Sequence, residues 1–141
     1  LYKEHAAKAG IKIDVVREPD DGYWSEVWMK KNWCFSYWLG RPTVDWTFST
    51  AYTADAKWNE SFWKHEKFNK LYKEARTELD ETKLREIYTE MQRICRNEGG
   101  AVIPLFANDI MAASTKLKFE GVTSNIELDG GRLTERWWFE S

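Results

Sequence analysis

Two indoles, a guanidinium and a carboxylate crowd into the run Tyr37-Trp38-Leu39-Gly40-Arg41-Pro42-Thr43-Val44-Asp45-Trp46. Trp38 and Trp46 offer flat apolar faces, each with one N–H donor. Arg41 and Asp45 offer opposite charges, and Gly40 permits close backbone approach. Aromatic walls beside a few polar groups are the usual makeup of a ligand cleft. Trp38, Gly40, Arg41, Asp45 and Trp46 are therefore the candidate ligand-binding set. The competing reading is an exposed loop in which Arg41 and Asp45 merely pair with each other.

Other chemistries find less support. His5 and His65 have no Cys or His neighbours at metal-ligand spacing, so no metal is expected. His65 reads as a polar loop or helix-start residue. Asp20, Asp21, Asp45 and Glu60 could be cast as an acid/base pair, but nothing in the sequence makes them converge. Ser25, Ser36, Ser49, Ser61, Ser114, Ser124 and Ser141 lie in no G-x-S-x-G turn. No glycine loop precedes a helix to cradle a phosphate. The expectation is a binding protein, with no catalytic residues and no cofactor.

The elements that must position the candidate loop follow from periodicity. Residues 1–9 read as the end of a helix stopped by Gly10. Ile11, Ile13 and Val15 alternate with Lys12 and Asp14 as in a half-buried strand. A helix is expected over about 22–31, capped by Asp20 or Asp21, with Tyr23, Trp24, Val27 and Trp28 on one face. Cys34 to Leu39 reads as a buried strand ending at Gly40-Arg41-Pro42. Residues 43–62 have no sustained period and read as a long loop with short helical turns.

Two helices follow, one marked by Phe68, Leu71, Tyr72 and Ala75. The other carries Leu84, Ile87, Tyr88, Met91 and Ile94, with Asp80 as N-cap and Gly99-Gly100 as stop. Ala101 to Phe106 reads as a strand with an edge or bulge at Pro104, continued over Ile110 to Ser114. Leu117, Phe119 and Val122 give a short extended stretch. Gly130-Gly131 make a turn, and Thr134 to Phe139 a last strand. The order α-β-α-β-loop-α-α-β-β-β predicts an α/β layer followed by a small β tail.

Bulk composition narrows the partners. The chain has 141 residues, 43% hydrophobic and 31% charged, which fits one soluble domain or a piece of a larger one. A net charge of −2 with interspersed signs gives no case for nucleic acid. Nine tryptophans are the compositional outlier. Trp24, Trp28, Trp33, Trp38, Trp46, Trp58 and Trp63 fall in one stretch, which points to a recognition surface beyond core packing. Cys34 and Cys95 are either a single disulfide or two small buried thiols. The start, without Met or signal pattern, reads as cut from inside a longer protein.

The run Ala9-Gly10-Ile11-Lys12-Ile13, then Tyr23-Trp24, then Tyr37-Trp38-Leu39-Gly40 resembles the C-terminal part of the family 5 extracellular solute-binding proteins. Phe68-Asn69-Lys70-Leu71, the helix from Leu84 to Gln92, and Ala101 to Phe106 are similar to that family's closing elements in the same order. The resemblance covers essentially the whole chain. It implies the dipeptide- and oligopeptide-binding component of a bacterial ABC importer, periplasmic or extracellular and membrane-anchored. The fold implied is α/β, a lobe fragment like that of type II periplasmic binding proteins. Residues 1–108 would belong to lobe II, and 109–141 would return as a β segment to lobe I. The implied partners are a peptide or other small polar solute, the membrane permease and the missing lobe I. A fragment lacking lobe I is expected to self-associate.

One departure bears on the ligand. Peptide-binding members similar to this chain place an Asp after the Trp-x-Gly strand, where it holds the ligand's ammonium. The matching position here is Arg41, which would favour a carboxylate, a phosphate or a sugar hydroxyl. Asp45 is the alternative for the ammonium. Two further readings stand beside this one. The chain is a carbohydrate-binding module or glycosidase fragment that stacks sugars on Trp, or its aromatics only pack a core.

Overall fold

The structure is a computed structural model that describes residues 1–108, 110–122 and 127–140. Ser124 and Ser141 lie outside the described residues, as does Asp109, the first residue of the expected returning segment. Contacts divide the chain into two compact units, Leu1–Ser36 and Tyr37–Ser141.

In the first unit, helix α1 spans Tyr2–Lys8. Gly10 ends it from the left-handed region at φ 78°. Its N–H meets the Ala7 carbonyl while that of Ile11 meets Ala6, the paired bonds of a Schellman stop. The next helix is shorter than its apolar face predicts. Helix α2 is a single turn, Tyr23–Glu26, entered through Gly22 without a side-chain cap. The Asp20 carbonyl, not a carboxylate, receives the Tyr23 N–H. Met29 at φ 57° breaks the chain's continuation toward residue 31. Val27 is buried. Tyr2 sets its ring edge-on to Trp33 and Phe35, and the Tyr23 hydroxyl donates to the Phe35 carbonyl at 2.8 Å.

The second unit is built on helices α3 (Val44–Ala51), α4 (Glu66–Ala75) and α5 (Glu81–Glu98). Each begins at a side-chain cap: Thr43, His65 and Asp80 accept from Trp46, Phe68 and Lys83 backbone N–H groups. His65 accepts through Nδ1, which leaves Nε2 to meet Glu98 at 3.0 Å. That contact joins the start of α4 to the end of α5, and the Lys67–Glu90 pair ties its first turn to the middle of α5, so the two helices run antiparallel. Their apolar faces enclose Phe68, Ala75, Ile87, Met91 and Ile94, with Phe48 of α3 added from the side. Phe68 and Met91 are fully buried.

The strands expected at Ile11–Val15, Cys34–Leu39, Ala101–Phe106 and Ile110–Ser114 are not formed. A strand exists only when a neighbour takes its N–H and C=O groups. Among the described residues no neighbouring strand pairs with any of these four segments. The sheet that is described is a two-stranded antiparallel pair, β1 (Leu117–Lys118) with β2 (Trp138–Phe139). The last strand is thus shorter than Thr134–Phe139, because Leu133–Arg136 coils into helix α6. Between β1 and α6, Glu127–Gly131 makes a left-handed turn that includes Gly130-Gly131. Its buried Asp129 receives the Trp137 indole N–H and pairs with Arg136, both at 3.3 Å. Cys34 and Cys95 are both free thiols. No helix among the described residues is long and apolar enough to cross a membrane.

Candidate functional site

The aperiodic stretch 43–62 becomes the scaffold of a cleft. Thr43 Oγ1 accepts from the Trp46 N–H at 3.2 Å, which starts α3 and puts Trp46 in its first turn. The Trp46 carbonyl then receives the hydroxyls of Ser49 and Thr50, at 3.0 and 2.7 Å. After α3 the chain doubles back, and the Trp58 N–H meets the Thr50 carbonyl.

A buried amide holds that return. Asn59 donates to the carbonyls of Thr53 and Trp63 and accepts from the Trp63 N–H and the Ser61 hydroxyl. All four hydrogen-bonding positions of the side chain are used, so the loop has one well-defined shape. Glu60 beside it accepts the Trp38 indole N–H at 2.9 Å, and the Trp38 and Trp58 rings lie 6.0 Å apart.

Arg41, Trp46, Ser49, Thr50, Lys57 and Trp58 line the resulting open cleft, whose volume is about 350 Å³. The Arg41 guanidinium lies over two indoles, with its carbon 5.8 Å from the Trp38 ring centre and 5.6 Å from that of Trp46. Both distances fall within cation–π range. Nη1 is tied back to the carbonyls of Leu39 and Gly40, at 3.1 and 3.5 Å. Nε is buried and has no hydrogen-bond partner among the described residues. Among the described residues, neither Arg41 nor Lys57 forms an ion pair with a carboxylate.

The structure thus brings Trp38, Arg41 and Trp46 together. Gly40 contributes a carbonyl and needs no left-handed backbone. Asp45 is directed elsewhere. Its carboxylate takes Arg76 and the Tyr88 hydroxyl, each at 3.3 Å, and so fastens α3 to α4 and α5. Burial, then the Asp45 charge, raises the Tyr88 pKa, which keeps the phenol a donor. The Arg41–Asp45 pair of the bland reading is not made.

Ser49, Thr50, Lys57, Trp58 and Glu60 were outside the sequence-derived set. The signal for the last two was the triplet Trp58-Asn59-Glu60, a small amide between an aromatic and an acid in a loop. A second groove, about 420 Å³, runs beside α5 past Val44, Leu84 and Tyr88. Among the described residues, no group of His, Cys, Asp and Glu could hold a metal ion. Comparison with protein-family models, curated proteins and solved structures yields no match.

Proposed function

We propose that this chain is part of a two-lobed extracytoplasmic solute-binding protein that captures a peptide-like or other small polar solute for ABC-type import. The observation that carries this reading is the cleft itself. Arg41 lies between Trp38 and Trp46 on the loop after the Trp-x-Gly run, facing Lys57 and Trp58. Such a constellation supplies large apolar contact with a few orienting polar groups.

A second observation supports the larger architecture. Val15, Val16, Phe35, Leu39, Val102, Leu105 and Phe106 are all exposed on segments without helix or ladder. Strands of an α/β lobe read as such continuous apolar runs, because both of their faces are covered in the complete sheet. In this reading the covering strands and helices come from the rest of the protein, with 109–141 crossing back to lobe I. The membrane permease would then be the partner, and the compartment periplasmic or membrane-anchored at the cell exterior.

The alternative is a carbohydrate-binding module or glycosidase fragment, in which the partly exposed Trp46 and Trp58 would stack on sugar rings. Calorimetric titration of the full-length protein separates the readings. One-to-one binding of a peptide or small polar solute, weakened in Trp38→Ala and Trp46→Ala, is expected. Binding of oligosaccharides alone would favour the alternative. Binding of no solute in a broad panel would overturn the proposal.

A further inference from the structure

We infer that the captured solute presents an anionic group, a carboxylate or a phosphate, to Arg41 and Lys57, and lays an apolar part against Trp46 and Trp58. This rests on the solute-binding reading and specifies its ligand. Two cations line one small cleft, and among the described residues no carboxylate forms an ion pair with either of them. Two of the acids that sequence offered have partners outside the cleft: Asp45 meets Arg76 and Tyr88, and Glu60 meets the Trp38 indole.

The guanidinium is also held ready. Two indoles and two carbonyls fix its place. Indole faces stabilise the charge, but they take none of its N–H bonds. Among the described residues Nε has no acceptor and Nη2 makes no hydrogen bond, so the guanidinium keeps donors for a charge-assisted bond to an anion.

Magnitudes decide the sign of the ligand. A unit charge at about 4 Å from Arg41 changes affinity by roughly fivefold to a thousandfold, depending on how much water the cleft keeps. For an ammonium that term is repulsive, and Lys57 adds to it. For an anion both contributions are favourable.

Three probes that share a phenyl ring and differ in charge test this by calorimetry on the full-length protein: N-acetylphenylalanine, phenyl phosphate and phenylalaninamide. At least one of the two anions is expected to bind, and the cationic amide to bind at least about tenfold more weakly. The better of the two anions tells carboxylate from phosphate. Arg41→Gln should weaken the anion by about tenfold or more. Lys57→Gln should weaken it by up to about fivefold, as expected of an exposed charge, with thermal unfolding unchanged. The second variant keeps the test valid if Arg41→Gln disturbs the Trp38 and Trp46 rings that Arg41 lies over.

Tighter binding of the amide, or anion affinity untouched by both variants, would overturn the inference. So would failure of all three probes. In that last case, a neutral tripeptide that still binds and shifts tryptophan emission preserves the solute-binding reading. If no solute binds, both fall.

Discussion

From Glu66 to Glu98 the chain covers its own apolar residues; from Ala101 to Phe106 it does not. Phe68 and Met91 are 0% exposed, whereas Leu105 and Phe106 are 69% and 89% exposed. The two stretches carry similar kinds of side chain, so hydrophobicity alone does not separate them. The backbone does. A helix satisfies its own N–H and C=O groups, and α4 finds its packing partner in the next helix along the chain. An extended run needs a neighbour for its hydrogen bonds before it can bury either face. Local order can thus be complete where the partner is adjacent in sequence and absent where the partner is remote.

The sharpest way to break this comparison is to cut into both regions of the 141-residue chain. Phe68→Ala should cost about 3–5 kcal/mol, the price of an aromatic lost from a closed core. Phe106→Ala should stay within about 0.5 kcal/mol, as at an ordinary surface position. Urea unfolding measures both, and equal losses would erase the distinction.

Next in size is the amide that shapes the cleft loop. Asn59→Ala strands the Trp63 N–H and two carbonyls, and should cost about 2–3 kcal/mol. Gly100→Ala tests the same loop from its far side. A Cβ there would meet Ser61 Cβ at 2.6 Å, so the substitution should lower the melting temperature and Ser61→Gly should restore much of it.

Smaller still is the cap of α4. His65→Ala should cost about 1 kcal/mol, while His65→Asn, which keeps an acceptor, should come within a few tenths. Melting curves of the two variants distinguish a capping role from ring packing against Trp63.

The smallest effect is in the alkaline limb. Burial pushes the Cys95 thiol up to about 11. The folded state favours the neutral thiol, so this contribution is intact below about pH 9 and is lost as pH climbs through 11. At pH 8, iodoacetamide should label Cys95 slowly in the native chain and far faster in urea. Equal rates in both would show that α5 does not shelter it.

How legible these regions were follows the same division. The stop of α1 at Gly10, the cap at Asp80, the helix-start role of His65 and the apolar faces of α4 and α5 were readable, because each depends on residues one or two turns away. The helix over 22–31 shrank to Tyr23–Glu26 because Met29 takes a left-handed backbone that no periodicity announces. The extended runs were correctly seen as apolar and wrongly expected to pair within the chain. That Trp38, Arg41 and Trp46 come together was legible because aromatic and charged residues crowd into one loop. Asp45 was not. Its partners Arg76 and Tyr88 lie on two later helices, so their approach depends on how α3 packs rather than on spacing. Lys57 and Trp58 joined the cleft through Asn59, whose four hydrogen bonds are a property of the folded loop.

The central claim is that this chain forms the ligand wall of a larger binding protein, which also supplies the missing strands. Backbone hydrogen exchange over residues 101–106 tests it most directly, in the isolated chain and in the full-length protein. Near-unprotected exchange in the isolated chain, slowed by about a thousandfold or more in the full-length protein, is the predicted result. Equal and rapid exchange in both would contradict the account, since no partner strand would then be covering these residues.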